Sequence, residues 1–164
     1  INFYEKWTDA NTDQVKQPSE LSRVRAKDAT ADDALVMSVS YSKDFDISTV
    51  ALIGSTDAGT DLTNRQSKTY FIGEKGDEVA DYSENFKKST NDLRSVGINF
   101  YEKWTDTNDD QLKQPSELSK VRAKDATADD ALVMSVSYSK DFDNDTVGSI
   151  GATDAGTDLV NRQS

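Results

Sequence analysis

Two stretches of this chain place oxygen-bearing side chains at alternate positions and close with an acid eleven residues on. The first runs Asp9, Asn11, Asp13, Val15, Gln17, Glu20, and the second Asp106, Asn108, Asp110, Leu112, Gln114, Glu117. That spacing wraps a chain around a hard cation. Ca²⁺ takes six to eight oxygens at about 2.3–2.6 Å, and a loop of about twelve residues supplies them from positions 1, 3, 5, 7, 9 and 12. Position 7 contributes only its backbone carbonyl, which is why Val15 and Leu112 belong to the sets. A weaker loop has Asp143, Asp145 and closing Asp154, with Val147 at position 5. A fourth, Asp46 to Asp57, carries Ser48, Val50 and Ala51 and has too few oxygens to bind.

The chain contains no Cys and no His. Thiol chemistry, Ser-His-Asp triads and Cys/His zinc sites are therefore excluded, and any metal is held by oxygen, as Ca²⁺ or Mg²⁺. Net charge is −11 over 164 residues, with 35% hydrophobic and 30% charged residues. Such an acidic surface argues against nucleic acid and anionic lipid as partners. No apolar run reaches the length of a membrane span. Paired acids such as Asp129-Asp130 give no shaped catalytic site, and the chain is read as non-enzymatic.

Residues 1–67 and 98–164 align without a gap at a spacing of 97 and differ at ten positions. The expected organisation is one lobe over 1–67, a connector with a long helix over 68–97, and a second lobe over 98–164, with a longer tandem array as its context. Several differences fall in the loops: Thr12/Asp109, Val15/Leu112, Ile47/Asn144, Ser48/Asp145 and Ala51/Gly148.

Tyr82, Phe86, Leu93, Val96, Phe100 and Trp104 recur at spacings that match one face of a helix, which Gly97 weakens. The same pattern makes Ile1–Trp7 a helix end. Pro18-Ser19-Glu20-Leu21 reads as a helix start, and so does Thr30 with Asp33. Ala34–Phe45 is ambiguous. Its alternation and its Val, Ser and Tyr content favour a strand, whereas the flanking loops favour a helix, and the helix is taken here. Thr69–Gly73 could form a short strand, with Gly73 and Gly76 as breakers.

With its ligand spacing, Leu118 and Val121 after the second loop, Phe142 before the third, and Gly148 and Ile150 within it, the chain resembles paired EF-hands of the calmodulin type over about four-fifths of its length. The resemblance implies an all-α fold of two EF-hand-pair lobes that bind Ca²⁺. It also implies a short ladder between paired loops, for which Ile53 and Ile150 are suited. Three features depart from the family pattern. Gln14 and Gln111 stand at position 6, where Gly is expected. Lys16 and Lys113 stand at position 8, where an apolar residue is expected. Trp7 and Trp104 fall one residue early.

The expected function is a calcium sensor or buffer working with a protein partner or larger assembly. One alternative is an ion-free scaffold on the same fold. Another, which takes Ala34–Phe45 as a strand, is an α+β tandem-repeat module of a surface or adhesive array.

Overall fold

A computed structural model describes residues 1–42, 48, 50, 53 and 64–139, and the backbone of 162–163. Among the described residues nine strands form one antiparallel sheet: β1 Asn2–Trp7, β2 Leu21–Arg25, β3 Ala34–Tyr41, β4 Arg65–Ile72, β5 Val79–Phe86, β6 Leu93–Trp104, β7 Leu118–Arg122, β8 Ala131–Ser139 and β9 Arg162–Gln163. The spatial order is β2-β1-β3-β4-β5-β6-β8-β9, with β7 also on β6. Among the described residues there is no α-helix; single 3₁₀ turns lie at Pro18–Glu20, Pro115–Glu117 and Ala123–Asp125.

Twelve-residue β6 is the spine of the second half. Its first half pairs with β5 and its second half with β7, while β8 runs along the stretch from Ser95 to Glu102. A strand has two edges, so β5 and β7 share one of them, end to end. The repeat is faithful in register: Phe3 faces Arg25 and Trp7 faces Leu21, as Phe100 faces Arg122 and Trp104 faces Leu118. Each copy also carries a bulge after its Phe, at Phe3/Tyr4 and Phe100/Tyr101.

Alternation fills the core. Phe3, Met37, Val39 and Ile53 form one cluster, and Val96, Ile98, Phe100, Val136 and Tyr138 form another. Fully burying an aliphatic or aromatic side chain of this kind contributes roughly 1.5–3 kcal/mol.

The all-α expectation is therefore wrong, as are the EF-hand-pair lobes that depended on it. A spacing of four is about one helical turn, but it is also two full alternations of a strand, and that is how Tyr82/Phe86 and Val96/Phe100 are used. What separates the two readings is the turn between them. Ser89 and Asn91 adopt φ of 72° and 60°, and the Lys87 amide donates to the Asp92 carbonyl at 2.8 Å, so the chain reverses where the helix was expected to continue. The 34–45 stretch is strand through Tyr41, as its alternation indicated. Thr69–Gly73 falls mostly within β4, in line with the short strand read there. Thr30 and Asp33 make a turn in which the Asp33 carboxylate accepts from the Thr30 amide at 2.7 Å. Pro18-Ser19-Glu20 gives a single turn before β2 because Val and Arg at the following positions pair with β1 instead of coiling.

Candidate metal centre

The Asp9–Glu20 loop joins β1 to β2, and the Asp106–Glu117 loop joins β6 to β7. Each is closed by the strand ladder itself. The Thr8 amide donates to the Glu20 carbonyl at 3.1 Å, and the Thr105 amide to the Glu117 carbonyl at 3.0 Å. Positions 1 and 12 are thus brought together by β pairing rather than by two flanking helices, which corrects the helix–loop–helix frame.

The interior follows the sequence-based expectation more closely. Asp9, Asp13 and Glu20 each place a carboxylate oxygen within 4.8 Å of the others, and so do Asp106, Asp110 and Glu117. Asn108 and Gln114 reach the middle acid: Asn108 Nδ2 donates to Asp110 Oδ2 at 3.1 Å and Gln114 Nε2 to the same oxygen at 2.7 Å. Asn11 and Gln17 do the same to Asp13, at 3.0 and 2.9 Å. Val15 and Leu112 expose their side chains and donate their amides to Asp13 Oδ1 and Asp110 Oδ1 at 2.8 and 2.7 Å. Asp143, Asp145 and Asp154 lie outside the described residues, as do Asp46 and Asp57.

Position 6 shows how the loops dispense with glycine. Gln14 and Gln111 take φ of 58° and 57°. A left-handed backbone costs an L-residue roughly 1–2 kcal/mol. The cost is offset because that geometry points each amide at the first acid: Gln14 N reaches Asp9 Oδ2 at 3.0 Å, and Gln111 N reaches Asp106 Oδ2 at 2.9 Å. Position 8 is also explained. Lys16 pairs with Glu5 at 3.0 Å and Lys113 with Glu102 at 3.2 Å, so these residues anchor the loop to its own strand. Ile53, expected in an inter-loop ladder, is instead buried beneath Phe3.

Sequence reading missed the groups that orient the closing acid. Trp104 Nε1 donates to Glu117 Oε2 at 3.1 Å, and the Thr107 amide and hydroxyl donate to Oε1 at 3.1 and 3.2 Å. In the first loop Trp7 Nε1 and the Ala10 amide hold Glu20 at 3.0 and 3.1 Å. The Trp104 indole, followed by the Thr107 and Gln114 amides, holds the Glu117 carboxyl below the usual carboxylate range. The usable signal was a Trp two residues before each loop, which an EF-hand frame scores only as misplaced.

One oxygen in each loop has no hydrogen-bond partner. Asp9 Oδ1 and Asp106 Oδ1 are shielded from solvent and accept nothing. An orphaned carboxylate oxygen beside two further acids suits a cation: two like charges about 4 Å apart repel by roughly 1–4 kcal/mol for effective dielectrics of about 80 to 20. The donor set is all oxygen and hard, so the residues present fit Ca²⁺.

No family model matches the chain, and no curated protein and no solved structure matches it.

Proposed function

We propose that this chain is a non-enzymatic tandem-repeat β module of a surface or adhesive array, with a structural Ca²⁺ site in each of its two strand-connecting loops. The observation that carries the cation is the solvent-shielded, unpartnered oxygen of the first acid, which recurs at the same atom in both copies, Asp9 Oδ1 and Asp106 Oδ1. Asp9, Asp13 and Glu20 would hold the ion in one loop, and Asp106, Asp110 and Glu117 in the other. Asn11, Gln17, Asn108 and Gln114, with the carbonyls of Val15 and Leu112, are the remaining donors the spacing offers. Bound Ca²⁺ supplies charge neutralisation and cross-linking, and no reaction is assigned to it. A loop of about twelve residues with mixed carboxylate, amide and carbonyl oxygens suits the larger Ca²⁺ better than Mg²⁺, which demands a tighter octahedron at about 2.0–2.1 Å.

The array reading rests on the near-identical repeat and on strands that are shared across the repeat boundary rather than closed within each copy.

Calorimetric titration of the full chain with Ca²⁺ and with Mg²⁺ tests the cation. Saturable heat with Ca²⁺ is expected, lost for one loop in Glu20→Gln and for the other in Glu117→Gln. Free Ca²⁺ at about 100 times Kd should stabilise the fold by about 2.7 kcal/mol for each occupied site in urea denaturation. No heat, with no change in the unfolding midpoint, rejects the cation.

A further inference from the structure

Tyr4, Arg25 and Ala26 are the same residues as Tyr101, Arg122 and Ala123, one repeat earlier. In the second copy β5 lies across them. Asp81 Oδ1 accepts from Arg122 Nε at 3.1 Å and from Nη2 at 2.7 Å. The Ala80 carbonyl accepts from the Tyr101 hydroxyl at 2.6 Å and from Asn99 Nδ2 at 3.1 Å. Val79 packs with Tyr101 and Ala123. Beneath this cover Tyr101, Arg122 and Ala123 are 7%, 5% and 2% exposed.

Among the described residues no strand covers the first copy in this way. β1 pairs only with β2 and β3, Ala26 is exposed, and Tyr4 and Arg25 are half-buried. Arg25 is engaged on one side: its Nη1 donates to the carbonyls of Val50 and Ile53, both at 3.0 Å. Its Nε, the atom that in Arg122 meets Asp81, is shielded and donates to nothing. The guanidinium is a planar fork: Nη1 keeps its carbonyls, and the shielded, unsatisfied Nε is a donor that a carboxylate docked on the Nε/Nη2 edge would satisfy.

The opposite end shows the reverse asymmetry. Ala34 is buried, Leu35 and Val36 are half-buried, and the Leu35 amide donates to Glu78 Oε1 at 3.0 Å. Their counterparts Leu132 and Val133 are 57% and 46% exposed. The connector hairpin β4–β5 therefore covers one end of the first copy and the other end of the second.

We infer that Tyr4, Arg25 and Ala26 form a docking face for a further connector strand with the chemistry of Val79–Phe86. Such an occupant is an extended Val-Ala-Asp segment, with its carbonyl on Tyr4 and its carboxylate on the Nε edge of Arg25. Copies then stack head to tail with a connector sandwiched at every joint. The docking face uses none of the loop carboxylates, so it stands or falls independently of the cation.

The test joins a second copy of Lys68–Gly97 ahead of Ile1 of the full chain and follows amide exchange by mass spectrometry. The chain's own Val79–Phe86 is the internal reference. The added Val-Ala-Asp segment is expected to be protected to within about tenfold of that reference, since both dock on the same residues. Arg25→Gln should release the added segment and leave the reference protected. An added segment that exchanges as a free tail while the reference stays protected overturns the docking face. Protection that survives Arg25→Gln, and equally survives Asp81→Asn made in the added copy alone, overturns the assignment of Arg25 as the carboxylate's receptor.

Discussion

Arg25 and Arg122 hold the same place on the same strand of two nearly identical copies, yet they live in different environments. Arg122 is 5% exposed, lies 5.9 Å from the Phe100 ring centre and is paired with Asp81 at 2.7 Å. Arg25 lies over Phe3 at 5.7 Å and settles for two carbonyls. The closing acids differ too: Glu117 is 5% exposed, whereas Glu20 is only half-buried. Nearly identical local sequence therefore fixes strand, register and loop shape, while the arginine's burial is set by the neighbouring segment and the Glu117 site has an added local donor, the Thr107 hydroxyl, where the first copy has Ala10. The difference lies in β5, which reaches the second copy's arginine from outside the 67-residue repeat.

The largest effect should come from breaking that asymmetry. Asp81→Ala leaves a buried guanidinium without its carboxylate, and such losses cost about 3–5 kcal/mol. Arg25→Ala removes two carbonyl contacts and the contact with the Phe3 ring from a half-buried group and should cost about 1–2 kcal/mol. Urea denaturation of both variants decides the matter, and equal losses would mean that the two arginines are not differently employed. Next in size is Trp104→Phe, which removes the indole donor from Glu117. A loss of about 1 kcal/mol is expected, because the partner is charged but the indole itself is partly wet. Trp7→Phe should cost less, since Glu20 is less buried.

Smaller still is Thr12→Asp, which copies the second loop into the first. Thr12 and Asp109 sit at φ of 65° and 62°, a conformation that β-branched residues resist and Asp tolerates. A gain of about 0.5 kcal/mol in thermal or urea unfolding is expected, and any loss would show that the Thr12 hydroxyl bond to Asn11 matters more than strain. The finest discrimination is by pH. The Glu117 carboxyl is held below its ordinary value of 4.5, first by Trp104. Its contribution is therefore complete above pH 4.5 and is lost as pH falls through the lower folded-state value. Glu78, lowered chiefly by the Leu35 amide, behaves in the same way. Glu117→Gln should flatten the acid limb of the stability curve, and an unchanged limb would place the pH dependence elsewhere.

The clustering of three acids in each loop was legible in the residues. Alternate Asp, Asn and Asp with a closing Glu favour a curled loop, because local bonds from backbone amides to side-chain oxygens build the curl: Asp13 N to Asn11 Oδ1 at 3.0 Å and Gln14 N to Asp9 Oδ2 at 3.0 Å. The fold was less legible. Val36, Val39, Val96 and Ile98 favour strands, but spacings of four between apolar residues fit both periods. The loop motif then pulled the flanking segments toward helices. The expected Lys16 and Lys113 mismatches were real signals of a different frame, since both lysines serve strand-borne acids.

By itself the sequence determined the repeat, the acidic loops and their oxygen-only chemistry, because these depend on residue type and short spacing. Tertiary structure decided that strands close those loops, that Trp7 and Trp104 hold the closing acids, and that Arg122 is buried while Arg25 is not. The first two are settled within single hairpins, by contacts 12 and 13 residues apart, but the third depends on distant segments, Asp81 and Arg122 being 41 residues apart. No local pattern encodes which distant strand arrives at a given edge.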